Sequence, residues 1–531
     1  MKKFALVSIS LMAFLTFSCK NDQKNSSEND HLQATSDPAE MFRPSFHFTP
    51  EEHWMNDPNG MFYLDGTYHL YYQYYPEGNV WGPMHWGHAT TKDLINWEHQ
   101  DIALKPDEKG YIFSGSAVVD LENTSGFGND SIPPVIAMFT YHDPEGEKAG
   151  DIDYQSQAIA YSNDSGYTWT KYQDNPVIPN PGLKDFRDPK MLRDTINDQW
   201  LMVLSANDRS FFYASENLKD WKKISEFGLN TGAHNGVWEC PDFFPMKVEG
   251  SDEIKWVLIQ SLNPGGYNGG SGTQYFVGDF DGKQFTPEKN MQNLEEKHPF
   301  WIDFGRDNYA GVTWSNLPGN RVLFMGWMSN WLYAQEVPTE KWRSSMTIPR
   351  DLILKKEDSV YQIYSEPFRE FKNYRKQISV KNSGESNFVV STDTGDFLQN
   401  QFTFELPLKD RKKVNFALTS KSGDTLQFGL DIPSKQFFVD RSKSGMVNFK
   451  DNFSGERSTA PRLIDSETLK VNFITDRTSI EIFYDNGRTV MTEIFFPEKP
   501  YDSFAILEEG LKPQNLKVYD VRMKLSKKEP Q

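Results

Sequence analysis

"HATTKDLINWE" (88–98), "AYSNDSGYTWT" (160–170) and "YASENLKDWKK" (213–223) decide how this chain folds. Each stretch leaves a short apolar run, turns on a Ser or Thr with an acidic residue, and closes on a tryptophan: Trp97, Trp169 or Trp221. A loose echo every several tens of residues, built from short strands, is the signature of propeller blades. The spacing is uneven, so a β-sandwich or several separate β-modules are the alternatives at this point.

The flanking sequence agrees. From Arg43 to about Arg350 the chain is a run of aromatic and β-branched segments split by Gly, Asn, Asp and Pro. "MFYLDGTYHLYYQYYP" (61–76) reads as a hairpin turning at Asp65-Gly66. Helical periodicity is nearly absent. Past residue 365 the texture changes to alternating polar and apolar residues, as in "SIEIFYDNGRTVMTEIFF" (479–496). Ile480, Ile482 and Tyr484 fall on one face of that strand and Ser479 and Glu481 on the other, before an Asp485-Asn486-Gly487 turn. A second all-β unit, most simply a sandwich, is expected there.

Composition narrows the function classes. At 531 residues the chain exceeds one ordinary core, so two domains are expected. The 14 Trp, 23 Tyr and 39 Phe suit β-structure and surfaces that stack on sugar C–H faces. A net charge of −18 excludes a nucleic-acid binder, which needs basic surface. Residues 1–18, "MKKFALVSISLMAFLTFS", read as a secretory leader. Cys19 closes the leader as in a bacterial lipoprotein, although Leu15 sits one residue further upstream than the usual pattern; an ordinary cleaved leader is the alternative. Residues 20–42 read as a polar tether. Cys240 is then the only cysteine of the mature chain, so no intramolecular disulfide is expected.

Three acids share a setting: Asp57 in "WMNDPNG" (54–60), Asp188 in "FRDP" (186–189) and Glu239 in "WECP" (238–241). Proline follows each directly or one residue later, which suits the exposed end of a strand because proline cannot donate to a ladder. Asp143-Pro144 in "YHDPEG" is a similar pair, read as a plain solvent turn. His85 and His88 in "HWGH" lack companion ligands for zinc. "GGSG" (269–272) lacks the strand-to-helix context of a phosphate loop, and no Gly-x-Ser-x-Gly string marks a serine hydrolase. No metal, cofactor or obligate protein partner is expected.

Together with "FSGS" (113–116), "QYYPEGNVWGPMHWGHA" (73–89) and "WRSSMTIPR" (342–350), these strings resemble glycoside hydrolase family 32, the β-fructosidases. The resemblance implies a five-bladed β-propeller at 43–355 and a β-sandwich at 366–527. It implies Asp57 as nucleophile, Glu239 as general acid/base and Asp188 as transition-state stabiliser. Trp54, Asn56, Gln73, Trp81, Phe113, Ser114, Arg187 and Trp314 would line a fructosyl subsite.

The chemistry explains the need for acids. Cleaving a fructoside develops oxocarbenium character at C2; one carboxylate attacks while another protonates the leaving oxygen and later activates water. A retaining enzyme places these two carboxyls about 5–5.5 Å apart. Like-charge repulsion and desolvation are expected to raise the Glu239 pKa, leaving Asp57 ionised. Arg187 offsets charge beside Asp188. Cys240 is expected to be a packed residue or weak hydrogen-bond partner. The expected activity is exo-release of fructose from levan or inulin, with sucrose cleavage, endo-action and fructosyl transfer as variants. A non-catalytic sugar-binding propeller and an inverting furanosidase are the rivals.

Overall fold

A computed structural model describes residues 38–129, 132–391 and 396–523. The expected leader, Cys19 and the tether up to residue 37 lie outside the described residues.

Five antiparallel sheets follow one another, then two larger sheets. The innermost strands of the five are His53–Leu64, Tyr111–Val119, Phe186–Asp194, Val237–Lys247 and Tyr309–Thr313. Each packs on the next and the fifth returns to the first, closing a ring of blades. Trp342–Arg343 leaves the fifth blade to pair in parallel with His53 and Trp54, and Phe62 bridges Ser315. Strand Val360–Pro367 completes the fifth sheet, so that sheet runs past residue 355.

The three echoed stretches are the turns between third and fourth strands of blades one to three. The hydroxyl of Thr91, Ser162 or Ser215 accepts a backbone N–H three or four residues on, from Leu94, Gly166 or Leu218. Leu94, Ser165 and Leu218, each third after that hydroxyl residue, take positive φ. Trp169 and Trp221 then cap their own turns through Nε1. A short polar side chain replaces the missing backbone partner, which is why the pattern needs Ser or Thr there.

All five innermost strands carry a β-bulge at the same depth. Asn56-Asp57 oppose Gln73, Phe113-Ser114 oppose Thr140, Asp188-Pro189 oppose Leu204, Cys240-Pro241 oppose Gln260, and Ala310-Gly311 oppose Gly326. A bulge interrupts the ladder and re-aims the side chains beside it, and it accepts a proline that an intact ladder would not. The acid-proline pairs are thus the sequence trace of a ring of bulges around the central channel.

In the second unit, a six-stranded sheet faces a seven-stranded one. Phe402, Phe404, Phe416, Phe428, Phe473 and Phe504 interlock between them, Phe402 stacked on Phe473 at 4.5 Å. The polar face of Ser479–Tyr484 meets the propeller. Glu481 is fully buried, held by Arg350 and by His47 Nε2 at 2.9 Å. His47 Nδ1 meets Asp476 at 2.8 Å, and Arg350 also binds Asp303 at 2.8 Å. Burial opposes a charge on His47, but its hydrogen bonds to Asp476 and Glu481 prevail and lift its pKa to about 9.

Candidate active site

The bulges bring the expected acids to one cavity of about 310 Å³, lined by Asp57, Asp188 and Glu239 with Asn56, Gln73, Trp81, Phe113, Ser114 and Arg187. The local chain sets each orientation. Trp54 is fully buried, and its Nε1 donates to Asn56 Oδ1 at 2.7 Å. That bond turns the Asn56 amide so that Nδ2 donates to Asp57 Oδ1 at 3.0 Å. Ser114, from the next blade, donates to Asp57 Oδ2 at 2.7 Å. Asp188 sits at φ 66°, a strained conformation held by Thr140 Oγ1 accepting its N–H at 3.0 Å. The Cys240 N–H donates to Asp188 Oδ2 at 2.9 Å, and its thiol lies 3.4 Å from Asp57 Oδ2 and 3.6 Å from Asp188 Oδ2. Cys240 is therefore a weak donor between two carboxylates. Burial pushes its thiol up, away from the thiolate a nucleophile needs.

Glu239 is gripped from two sides. Arg187 Nη2 donates to its Oε1 at 3.0 Å, and the Tyr309 hydroxyl donates to Oε2. Arg187 also donates to Asp185 at 2.6 Å, so one guanidinium ties two carboxylates to the floor. Burial pushes Tyr309 well up and keeps it a donor.

Asp57 shares the cavity with the other two acids. Burial pushes its carboxyl up, and the Glu239 charge adds to this against the opposing bonds from Ser114, Asn56 and Cys240. Burial lifts Asp188 further, to about 7, with Glu239 and Asp57 adding to the rise and Arg187 opposing it.

Two expected pocket walls sit elsewhere. Trp54 stands behind Asn56, packed on Trp327 and Trp331 at 6.0 and 5.7 Å. Trp314 donates through Nε1 to the His69 carbonyl at 3.0 Å and lines a separate cavity of about 750 Å³ at the opposite ends of the innermost strands, near Lys190 and Asp242. Trp331 joins Trp81 in lining the acid pocket. His142, Glu147, Tyr154, Gln155, Asp185, Asn263 and Gln335 also line it, and none was foreseen. Tyr309 was missed too: its bulge, Ala310-Gly311, carries no proline and so lacks the string that marks Asp57, Asp188 and Glu239.

His85 binds the Pro83 carbonyl, and His88 is buried and stacked on Tyr71 at 4.3 Å. Both are structural. Cys19 lies outside the described residues.

The comparisons with known proteins fit this geometry. Residues 47–367 match the glycosyl hydrolases family 32 N-terminal domain, and residues 365–520 match the family 32 C-terminal domain. A levanase of Bacillus subtilis (strain 168) is 43% identical over 530 residues, covering 98% of this chain and 75% of that protein. An extracellular exo-inulinase of Aspergillus niger is 38% identical over 506 residues, covering 90% and 94%. The crystal structure of an exo-inulinase from Aspergillus awamori superposes with a TM-score of 0.81 at 35% identity, covering 90% of this chain and 98% of that one. A ring of five bulged blades, three acids at its mouth and a packed sandwich therefore belong to a chain that is a member of glycosyl hydrolase family 32.

Proposed function

We propose that this protein is a retaining β-fructofuranosidase that releases fructose from the non-reducing ends of fructans such as levan or inulin. The observation that carries the reading is the convergence of Asp57, Asp188 and Glu239, from three different blades, on one small cavity. Asp57 is the nucleophile: its two oxygens are fixed by Asn56 and Ser114, which aims the carboxylate and leaves a lone pair for attack at C2. Glu239 is the acid that protonates the departing oxygen and the base that later activates water. Arg187 and Tyr309 hold it in place. Asp188, tied to the Cys240 N–H, takes fructosyl hydroxyls and gains from the charge that develops on the ring.

A cavity of about 310 Å³ is at the small end for ligand pockets, which favours a terminal sugar over mid-chain binding. The levanase and exo-inulinase relatives support the same substrate class. Residues 1–18 are proposed as the leader, Cys19 as the lipid attachment and the residues after it as a tether that ends before Phe42, because Phe42 is buried against Phe496. The propeller follows from 43, and the sandwich extends to 527. A boundary at 365–367 is favoured over 355, because the family domains meet there and Val360–Pro367 pairs within the fifth sheet. The "extracellular" relatives favour export; Cys19→Ala should move the protein from the membrane to the soluble fraction.

Product analysis on levan, inulin and sucrose tests the activity. Fructose alone from the earliest time points supports exo-action, oligosaccharides indicate endo-action, and no turnover of any of the three overturns the reading.

A further inference from the structure

One wall of the cavity belongs to neither the bulge ring nor the three acids. Ser114 lies near the start of its innermost strand, and His142 ends the antiparallel neighbour, paired with Tyr111. The connection that follows, residues 143–154, therefore rises at the pocket end of the propeller. It holds a short helix, Pro144–Ala149, fixed at both ends. Asp143 accepts the Glu145 N–H at 3.0 Å, and Gly150, at φ 87°, returns its N–H to the carbonyls of Glu147 and Gly146. Asp143-Pro144, which reads in the sequence as a plain turn, is the cap that delivers Glu147 to the cavity.

The side chain of Glu147 is half exposed, and its Oε2 lies 3.2 Å from His142 Nε2. The His142 ring lies flat on Phe113 at 4.2 Å with 7° between planes. Its Nδ1 faces Gln155 Nε2 at 3.4 Å. The Gln155 amide donates there, so Nε2 carries the hydrogen and donates to Glu147; a neutral ring suffices. Burial, which pushes the His142 pKa down, is consistent with a neutral ring. Gln155 Oε1 in turn faces Arg187 Nη1 at 3.4 Å, and Arg187 holds Glu239 at 3.0 Å. A polar wall thus runs from Glu239 through Arg187, Gln155 and His142 to Glu147. Among the described residues, Oε1 of Glu147 takes no protein hydrogen bond.

We propose that Glu147 is a specificity-determining residue for the leaving group: its free oxygen accepts a hydroxyl of the sugar attached to the departing oxygen. This rests on the β-fructofuranosidase reading. The floor of the cavity comes from residues at the bulges, whereas Glu147 stands on a connection that projects beyond the strand ends. The departing oxygen faces Glu239, and the wall that starts there ends at Glu147. His142 acts as a positioning residue, holding one carboxylate oxygen so that the other points into the cavity.

The test compares kcat/KM on a fructose–fructose disaccharide with kcat/KM on methyl β-fructofuranoside, whose leaving group has no sugar hydroxyls. In Glu147→Gln the ratio of the two should fall about tenfold, the scale of one charge-assisted hydrogen bond lost at a half-exposed site. His142→Phe keeps the stacking on Phe113 and removes the hydrogen bond to Glu147; it should lower the ratio in the same direction, with the change in KM. An unchanged ratio in both folded variants, or equal losses on the two substrates, overturns the proposal. Wild-type protein that hydrolyses neither substrate overturns the β-fructofuranosidase reading instead.

Discussion

Asp188→Asn should make the protein more stable at neutral pH while removing most of its activity. Asp188 is buried, and its carboxyl is lifted from an ordinary 3.8 to about 7. A carboxyl whose folded pKa lies above its unfolded value is at no disadvantage when both states are protonated. It costs stability as pH rises through the interval between the two values. With the interval running from 3.8 to about 7, keeping Asp188 in place costs about 4 kcal/mol at neutral pH and about 1 kcal/mol at pH 4.5. Asparagine removes the ionisation and keeps an acceptor for the Cys240 N–H, now 2.9 Å from Asp188 Oδ2. For a chain of 531 residues the unfolding entropy is about 1 kcal/mol per degree, so the gain corresponds to about 4 °C in Tm at pH 7.5. The assay is thermal unfolding of wild type and variant at pH 4.5 and 7.5, with fructan hydrolysis measured in parallel. A variant that is less stable at both pH values, or whose gain is the same at both, refutes the reasoning.

Three further outcomes rest on other side chains. His47 carries a raised pKa of about 9, so its pairs with Asp476 and Glu481 give full stability below about pH 6.5 and lose it as pH rises through 9. The loss amounts to about 3 kcal/mol; a Tm that falls between pH 7 and 10 in wild type but not in His47→Gln would bear this out, and identical pH profiles would count against it. Trp314→Phe should leave kcat/KM on fructan within about twofold and lower stability by about 1–3 kcal/mol, because the His69 carbonyl loses its donor. Trp331→Ala, at the acid pocket, should raise KM severalfold, and the opposite pattern in kinetics would restore Trp314 as the subsite wall.

What the sequence disclosed follows from which interactions are local. The Ser/Thr turn that ends the third strand of a blade is closed by residues within a few positions of one another, so it appears as an echo in blades one to three. Blade four replaces it with an Asp281 turn that places Phe285 where the others have tryptophan, and blade five with a two-residue turn at Asp358-Ser359. Neither resembles the echo, and the full count of five came only from the family resemblance. The acids were legible because a bulge tolerates proline and leaves an acid-proline string behind. Trp314 was misplaced because its strand crosses the ring from the acid mouth to the opposite end, and five residues separate the two environments. Glu147 was hidden because its role depends on His142 and Phe113, partners set by sheet register. The alternation in Ser479–Tyr484 was read correctly, but nothing local says that its polar face meets Arg350 and His47.

Identifying the residue that bonds to the sugar tests the central claim most directly. A β-fructofuranosyl fluoride needs no acid to depart, so Glu239→Gln should be fructosylated by it yet lack the base that releases the sugar. Mass spectrometry of the digested variant should then find one hexose residue on the peptide containing Asp57, and none when Asp57→Asn is added. An adduct on Asp188 or another carboxylate, or none while the fluoride is still turned over, would contradict the assignment.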